Sequence, residues 1–246
     1  MEPAGDEGAG HAVEPGADEA QAMFNRQLAT YRKVVSENLM YHREVYDIVG
    51  KVLAEESPAQ FKFLDIACGD ASASAAMLAR TAIGHYHGID LSARSLELAR
   101  QTLAALPCKA DLQCRDFSEA MADWTEPVDV VWIGMSLHHL QLNAKSKLMQ
   151  DVHRALTRSG RFLIWEPTFL DGEDRGGWIG RFSSYRAMWA ALTDDEFATM
   201  EDHMRLADFP ETADTWTTMG RQAGFAHVQE LYTMPNRMGR VFKYWN

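Results

Sequence analysis

Apolar and polar positions along this chain follow two periods, and the order of those periods predicts the architecture. From about residue 22 to 53 the large apolar residues, among them Leu28, Tyr31, Val34, Leu39, Val45, Val49 and Leu53, recur at helical spacing. Ser57-Pro58 ends that run. Strand-like segments at 61–67, 85–90, 111–115, 128–134 and 161–166 then alternate with helix-like ones at 72–80, 93–105 and 144–156. Alternation of this kind predicts a doubly wound parallel sheet covered on both faces.

After Pro167 the pattern changes. Residues 168–210 are rich in Trp, Phe and Met, and Thr193 followed by Glu196 has the spacing of a capping box. Pro210-Glu211 is expected to open a further helix over 212–222 that stops at Gly224. Strands at 225–232 and 241–245 would close the chain. The expected fold is therefore α/β: a doubly wound seven-stranded sheet, mostly parallel, with an antiparallel C-terminal edge strand. N-terminal helices over 21–56 form a cover, and the helical insertion after the fifth strand forms a lid. Residues 21–246 make one domain, since 246 residues suit one sizeable unit with an elaboration.

Charge changes the picture at one end only. Net charge is −11, but residues 1–20 hold six acids and none of the 24 Lys and Arg. That Ala-, Gly- and Pro-rich tail is expected to be disordered. The mildly acidic remainder argues against a nucleic-acid groove, which needs clustered basic side chains. No apolar run reaches membrane-spanning length, and no secretory signal is read at the N-terminus. Cys68, Cys108 and Cys114 form no CxxC pair, which suits a reducing cytoplasm. No metal site is read in the chain.

Candidate chemistry begins at Asp65-Ile66-Ala67-Cys68-Gly69-Asp70, where an apolar strand enters a small-residue turn, and continues at Asp90, which ends the next strand. This layout serves nucleoside cofactors: backbone amides at one end, a carboxylate for ribose at the other. A dinucleotide site wants three glycines in the turn for its pyrophosphate; here only Gly69 is present, and Asp70 would repel phosphate. An ammonium-bearing cofactor would welcome Asp70 and Asp65. Asp116 and Phe117, after the third strand, are placed to take an adenine amine and cover its ring.

These motifs, with Val130–Leu140, Gly160–Pro167 and Ala223-Gly224-Phe225, make the sequence resemble the class I S-adenosylmethionine-dependent methyltransferases. The resemblance covers roughly residues 40–167 and 212–246. It implies S-adenosylmethionine as cofactor, leaving as S-adenosylhomocysteine, with Asp65, Ala67, Cys68, Gly69, Asp70, Asp90, Leu91, Asp116, Phe117 and Met135 around it. The family's usual first glycine is Ala67 here; with φ below zero an alanine methyl is tolerated there, so altered contacts rather than lost binding are expected.

The remaining candidates face the acceptor. His138 and His139 follow the fourth strand, where one of them could accept a proton; alternatively one packs under the next helix and the other is a polar surface residue. Glu166 ends the fifth strand as a base or a cation ligand, or else pairs with Arg175 or Arg181. Cys68 has no evident base beside it and is not expected to be a nucleophile. Trp178, Tyr185 and Trp189 of the insertion, with Tyr31 and Tyr41, are candidate walls for a flat or cationic acceptor, or ordinary core.

The expected activity is methyl transfer to an oxygen or nitrogen of a small organic molecule by a monomer or homodimer, without nucleic-acid or membrane partners. Rival readings are a protein or tRNA methyltransferase, a non-catalytic S-adenosylmethionine-binding protein and, more distantly, a nicotinamide dehydrogenase.

Overall fold

The computed structural model describes residues 29–246; the acidic tail and the start of the N-terminal cover lie outside the described residues. Helix α1, described over 29–36, and α2 (His42–Glu56) precede the sheet. Asn38 and Tyr41, with φ of 58° and 60°, break the N-terminal periodicity into these two helices. Asn tolerates that left-handed conformation better than most residues, and Asn38 Oδ1 accepts the Arg43 amide at 2.9 Å.

The strands are β1 (Phe61–Ile66), β2 (Ile83–Asp90), β3 (Lys109–Cys114), β4 (Val128–Gly134), β5 (Leu156–Phe169), β6 (Glu211–Thr212), β7 (His227–Thr233) and β8 (Gly239–Trp245). The helices between them are α3 (Ser72–Leu78), α4 (Ala93–Leu103), α5 (Phe117–Ala122), α6 (Leu142–Ala155), α7 (Arg175–Ser184), α8 (Asp194–Ala207) and α9 (Ala213–Ala223). Spatial order is β3-β2-β1-β4-β5-β8-β7, with β6 paired to the end of β5. The β1–β5 ladders are parallel, whereas β8 runs antiparallel to both β5 and β7. The antiparallel strand is thus inserted inside the sheet, and β7 forms the edge.

Side chains alternate across the sheet as a two-residue period demands. Val131 and Ile133 of β4 join Leu148, Val152 and Trp216 on one face. Val130 and Trp132 join Val49, Leu53, Met77 and Leu103 on the other. Pro210 and Glu211 do not open α9 as expected. Glu211 and Thr212 pair with Thr168 and Phe169, and Thr212 is the N-cap, accepting the Thr215 amide at 3.1 Å. A buried Lys145 fastens this segment through Glu211 Oε1 at 2.7 Å and the Phe209 carbonyl.

The insertion is a helical unit with its own core of Trp178, Phe182, Trp189, Leu192, Phe197 and Met204. Its capping box at Thr193 and Glu196 is formed as the sequence predicts. Val34 of α1 joins that core, and Lys33 Nζ donates to both Glu196 oxygens at 2.7 and 2.9 Å. Helix α1 is therefore packed against the insertion.

Candidate functional site

Sheet order reverses between β1 and β4, and the crevice outside the carboxyl ends of such strands is where α/β sheets bind ligands. Here β1 passes into a turn in which Ala67, Gly69 and Ala71 all have left-handed φ, 57°, 55° and 56°. The expectation of negative φ at Ala67 is therefore overturned: its methyl sits where an L-residue is strained. Two bonds hold the turn. Cys68 N donates to Ile89 O at 3.0 Å, and Gly69 N donates to Asp90 Oδ2 at 2.8 Å. Asp90 Oδ1 takes the Ser92 amide at 2.8 Å, so one carboxylate joins β2 to the turn and starts α4. A Cβ built on Gly69 would meet nothing within 4 Å, leaving its backbone open to a ligand.

Beneath the turn lies Asp65, buried, with the Tyr86 hydroxyl donating to Oδ2 at 2.5 Å. Burial pushes its carboxyl up to about 7, against the pull of hydrogen bonds from Ser74 and Tyr86. A carboxyl in that condition gains most from a cation placed against it. Burial likewise pushes the Cys68 thiol up, so no thiolate nucleophile stands here. Asp70 Oδ1 accepts from Ser72 N and Oγ at 3.1 and 2.6 Å, and Arg32 Nη2 lies 3.8 Å from its other oxygen.

The turn opens into a cavity of about 910 Å³. Gly134, Met135 and Ser136 line it from the end of β4, with Met135 again at positive φ, 57°. Tyr31, His42 and Tyr46 line it from α1 and α2, Trp132 and Trp165 from the sheet, and Trp178, Phe182, Trp189 and Met200 from the insertion. The His42 ring meets Trp165 edge-on at 5.0 Å, and burial pushes it down to about 4, so it is neutral.

One wall is polar. His138 and His139 occupy a 3-10 turn, Leu137–His139, and His138 Nδ1 lies 2.7 Å from Glu166 Oε2. Glu166 also accepts the amides of Ser136, Leu137 and His138 at 3.1, 2.9 and 3.2 Å. It is wholly buried and does not reach the cavity, and Arg175 and Arg181 are not its partners; Arg181 pairs with Glu173. Asp208, just past α8, closes the wall, and His203 of α8 stands beside it. The Asp208 carboxylate pushes His139 up against the effect of burial. Burial pushes Asp208 itself up, but the three histidines outweigh this and hold it below the usual carboxylate range.

The sequence-read residues thus separate. Asp65, Ala67, Cys68, Gly69, Asp70, Met135, His138, His139, Tyr31, Trp178 and Trp189 converge on the cavity. Asp90, Leu91, Asp116 and Phe117 stand beyond its lining, at the carboxyl ends of β2 and β3. Asp116 caps α5 through the Ser118 and Glu119 amides, and Phe117 packs on the sheet core. Tyr41 and Tyr185 do not line the cavity; the Tyr185 hydroxyl donates to Asn236 O at 3.3 Å. Asp208, His203 and His42 are cavity residues that sequence reasoning missed. Only His42 left a signal, since it shares a helical face with Val45 and Val49.

A family model described as a methyltransferase domain matches residues 63–160. An O-methyltransferase family protein from Burkholderia thailandensis superposes with a TM-score of 0.60 at 17% identity, covering 85% of this chain and 57% of that one. The mitomycin 7-O-methyltransferase gives 0.57 at 16%, covering 94% and 58%. The cyclopropane synthase MmaA2 from Mycobacterium tuberculosis gives 0.55 at 18%, covering 76% and 62%. At such identities the likeness is one of fold, and the chain spans less than two thirds of each of these proteins. No curated protein sequence gives a significant match.

Proposed function

We propose that this chain, which carries a methyltransferase domain in the class I S-adenosylmethionine-dependent fold, methylates an oxygen or nitrogen of a small organic molecule. The observation that carries the reading is the cavity of about 910 Å³, bounded by the β1 turn on one side and an aromatic lid on the other. Its size is that of a small-molecule site.

The donor set fits the cofactor. Asp65 and Asp70 would face its ammonium, the open backbone at Gly69 and the Met135 turn its amino-acid end, and Asp90 with Leu91 its ribose. Asp116 and Phe117 would take the adenine. When bound, the cofactor supplies a methyl already activated on a sulfonium sulfur. What the protein adds is alignment of the acceptor and exclusion of water. Tyr31, Trp178 and Trp189 would hold the acceptor's apolar body, and the His139–Asp208 wall its polar end.

The aromatic-lined cavity and the scarcity of clustered basic residues favour a compact acceptor over a protein or tRNA. Three free cysteines fit a cytoplasmic setting, and among the described residues no helix is long and apolar enough to cross a membrane.

The test is calorimetry with S-adenosylmethionine and S-adenosylhomocysteine on wild type and Asp90→Ala, with NAD as control. Micromolar binding weakened at least tenfold by the substitution supports the reading. Binding of NAD in place of both sulfur ligands overturns it. Cofactor binding without turnover on any small amine, phenol or carboxylic acid would leave a binding protein.

A further inference from the structure

We propose that His138, His139 and Asp208, with His203 at the rim, form a binding site for a divalent transition-metal cation of the zinc class, on the acceptor side of the cavity. His138 Nε2, His139 Nδ1 and His203 Nε2 lie 3.7, 3.4 and 3.5 Å from one atom, Asp208 Oδ1. None of the three approaches has hydrogen-bond geometry, and Asp208 Oδ1 is a buried oxygen without a hydrogen-bond partner. In a tetrahedral site with metal–ligand bonds of about 2.0–2.1 Å, neighbouring ligand atoms stand about 3.3 Å apart. The spacing around Asp208 Oδ1 is close to the edge of such a tetrahedron.

The hydrogen bonds behind the cluster point the same way. Glu166 is buried and accepts three backbone amides, so the short contact from His138 Nδ1 requires the ring proton on that nitrogen. With Nδ1 turned to Glu166, Nε2 is the ring atom left facing the Asp208 carboxylate. Nε2 and Asp208 Oδ1 stand 3.7 Å apart in a buried wall with no hydrogen bond between them, a gap that a cation would bridge. A carboxylate fixing a histidine by its far nitrogen is also the outer-sphere arrangement of histidine–metal sites. Imidazole ligands select zinc-like ions over magnesium or calcium, which prefer all-oxygen shells.

All four side chains line the cavity, so a bound ion would offer a remaining coordination position to a ligand there. Resting on the methyl-transfer reading, this narrows the acceptor to a compound with an oxygen donor able to coordinate, such as a phenol, a vicinal diol or a hydroxy acid. Metal binding itself does not depend on that reading.

The test uses the whole chain stripped with a chelator, without cofactor, titrated with Zn²⁺ by calorimetry and with Co²⁺ by visible absorption. One equivalent of Zn²⁺ bound at micromolar affinity or tighter, and intense tetrahedral Co²⁺ bands, are expected. Asp208→Asn and His139→Ala should each weaken Zn²⁺ at least a hundredfold while circular dichroism stays unchanged. Three outcomes overturn the proposal: no stoichiometric Zn²⁺, equal binding by Asp208→Asn, or binding abolished by His85→Ala instead, which would assign the ion to the His85, His87 and Glu126 group. S-adenosylhomocysteine binding, measured on the same samples, separates failure of the metal site from failure of the cofactor reading.

Discussion

The Nδ1 of His138 lies 2.7 Å from Glu166 Oε2, and this contact ties the loop after β4 to the end of β5. The Glu166 side chain serves as an internal cap for three successive amides, those of Ser136, Leu137 and His138, which no strand or helix satisfies. It acts through the loop it holds, at one remove from the cavity.

Replacing Glu166 tests that role. Glu166→Gln turns one acceptor into a donor facing backbone N–H groups and leaves buried groups unpaired, which should cost about 3 kcal/mol. Urea unfolding would show it as a lower midpoint at unchanged slope. A loss below about 1 kcal/mol would mean that the loop holds its shape unaided.

The left-handed Ala67 is a correctable strain. Ala67→Gly removes the clash of a Cβ at φ 57° and should raise stability by about 1 kcal/mol. Thermal unfolding measures it. A fall in stability would mean that the Ala67 methyl packs favourably enough to outweigh its backbone conformation.

Asp65 predicts a pH dependence with a definite sign. Its folded carboxyl keeps its proton to about 7, whereas the unfolded one loses it near 3.8. Between those values the folded state binds the extra proton, so this group's contribution to stability falls as pH rises. Asp65→Asn should remove that slope. For an ammonium-bearing ligand the sign is opposite: affinity rises from pH 6 to 8 and binding releases a proton. Calorimetry in buffers of differing ionisation heat detects the release, which Asp65→Asn should abolish.

His42 acts at lower pH. Its folded value of about 4 lies below the ordinary 6.5, so the unfolded state binds more protons in that window. The stability it contributes is complete above pH 6.5 and declines as pH falls toward 4, by an amount on the order of 3 kcal/mol. His42→Phe should flatten this part of the stability profile measured by urea unfolding. A profile unchanged from wild type would place the acid transition elsewhere.

Much of this molecule could be read one residue at a time. The alternation of strands and helices, the capping box at Thr193 and Glu196, the Gly224 stop of α9 and the turn around Gly69 all rest on signals held within a few consecutive residues. Period, cap and breaker survive in a sequence because neighbours in the chain are neighbours in the element. The insertion of β8 between β5 and β7, the left-handed φ of Ala67 and the partners of Glu166 have no such local signature. Glu166 meets His138 across 28 positions, and His139 approaches the chain beside Asp208 across 68. Contacts of that kind arise when packed layers bring distant segments to the same edge of the sheet. The burial that shifts Asp65 and His42, and the clustering of three histidines on one carboxylate oxygen, follow from that packing.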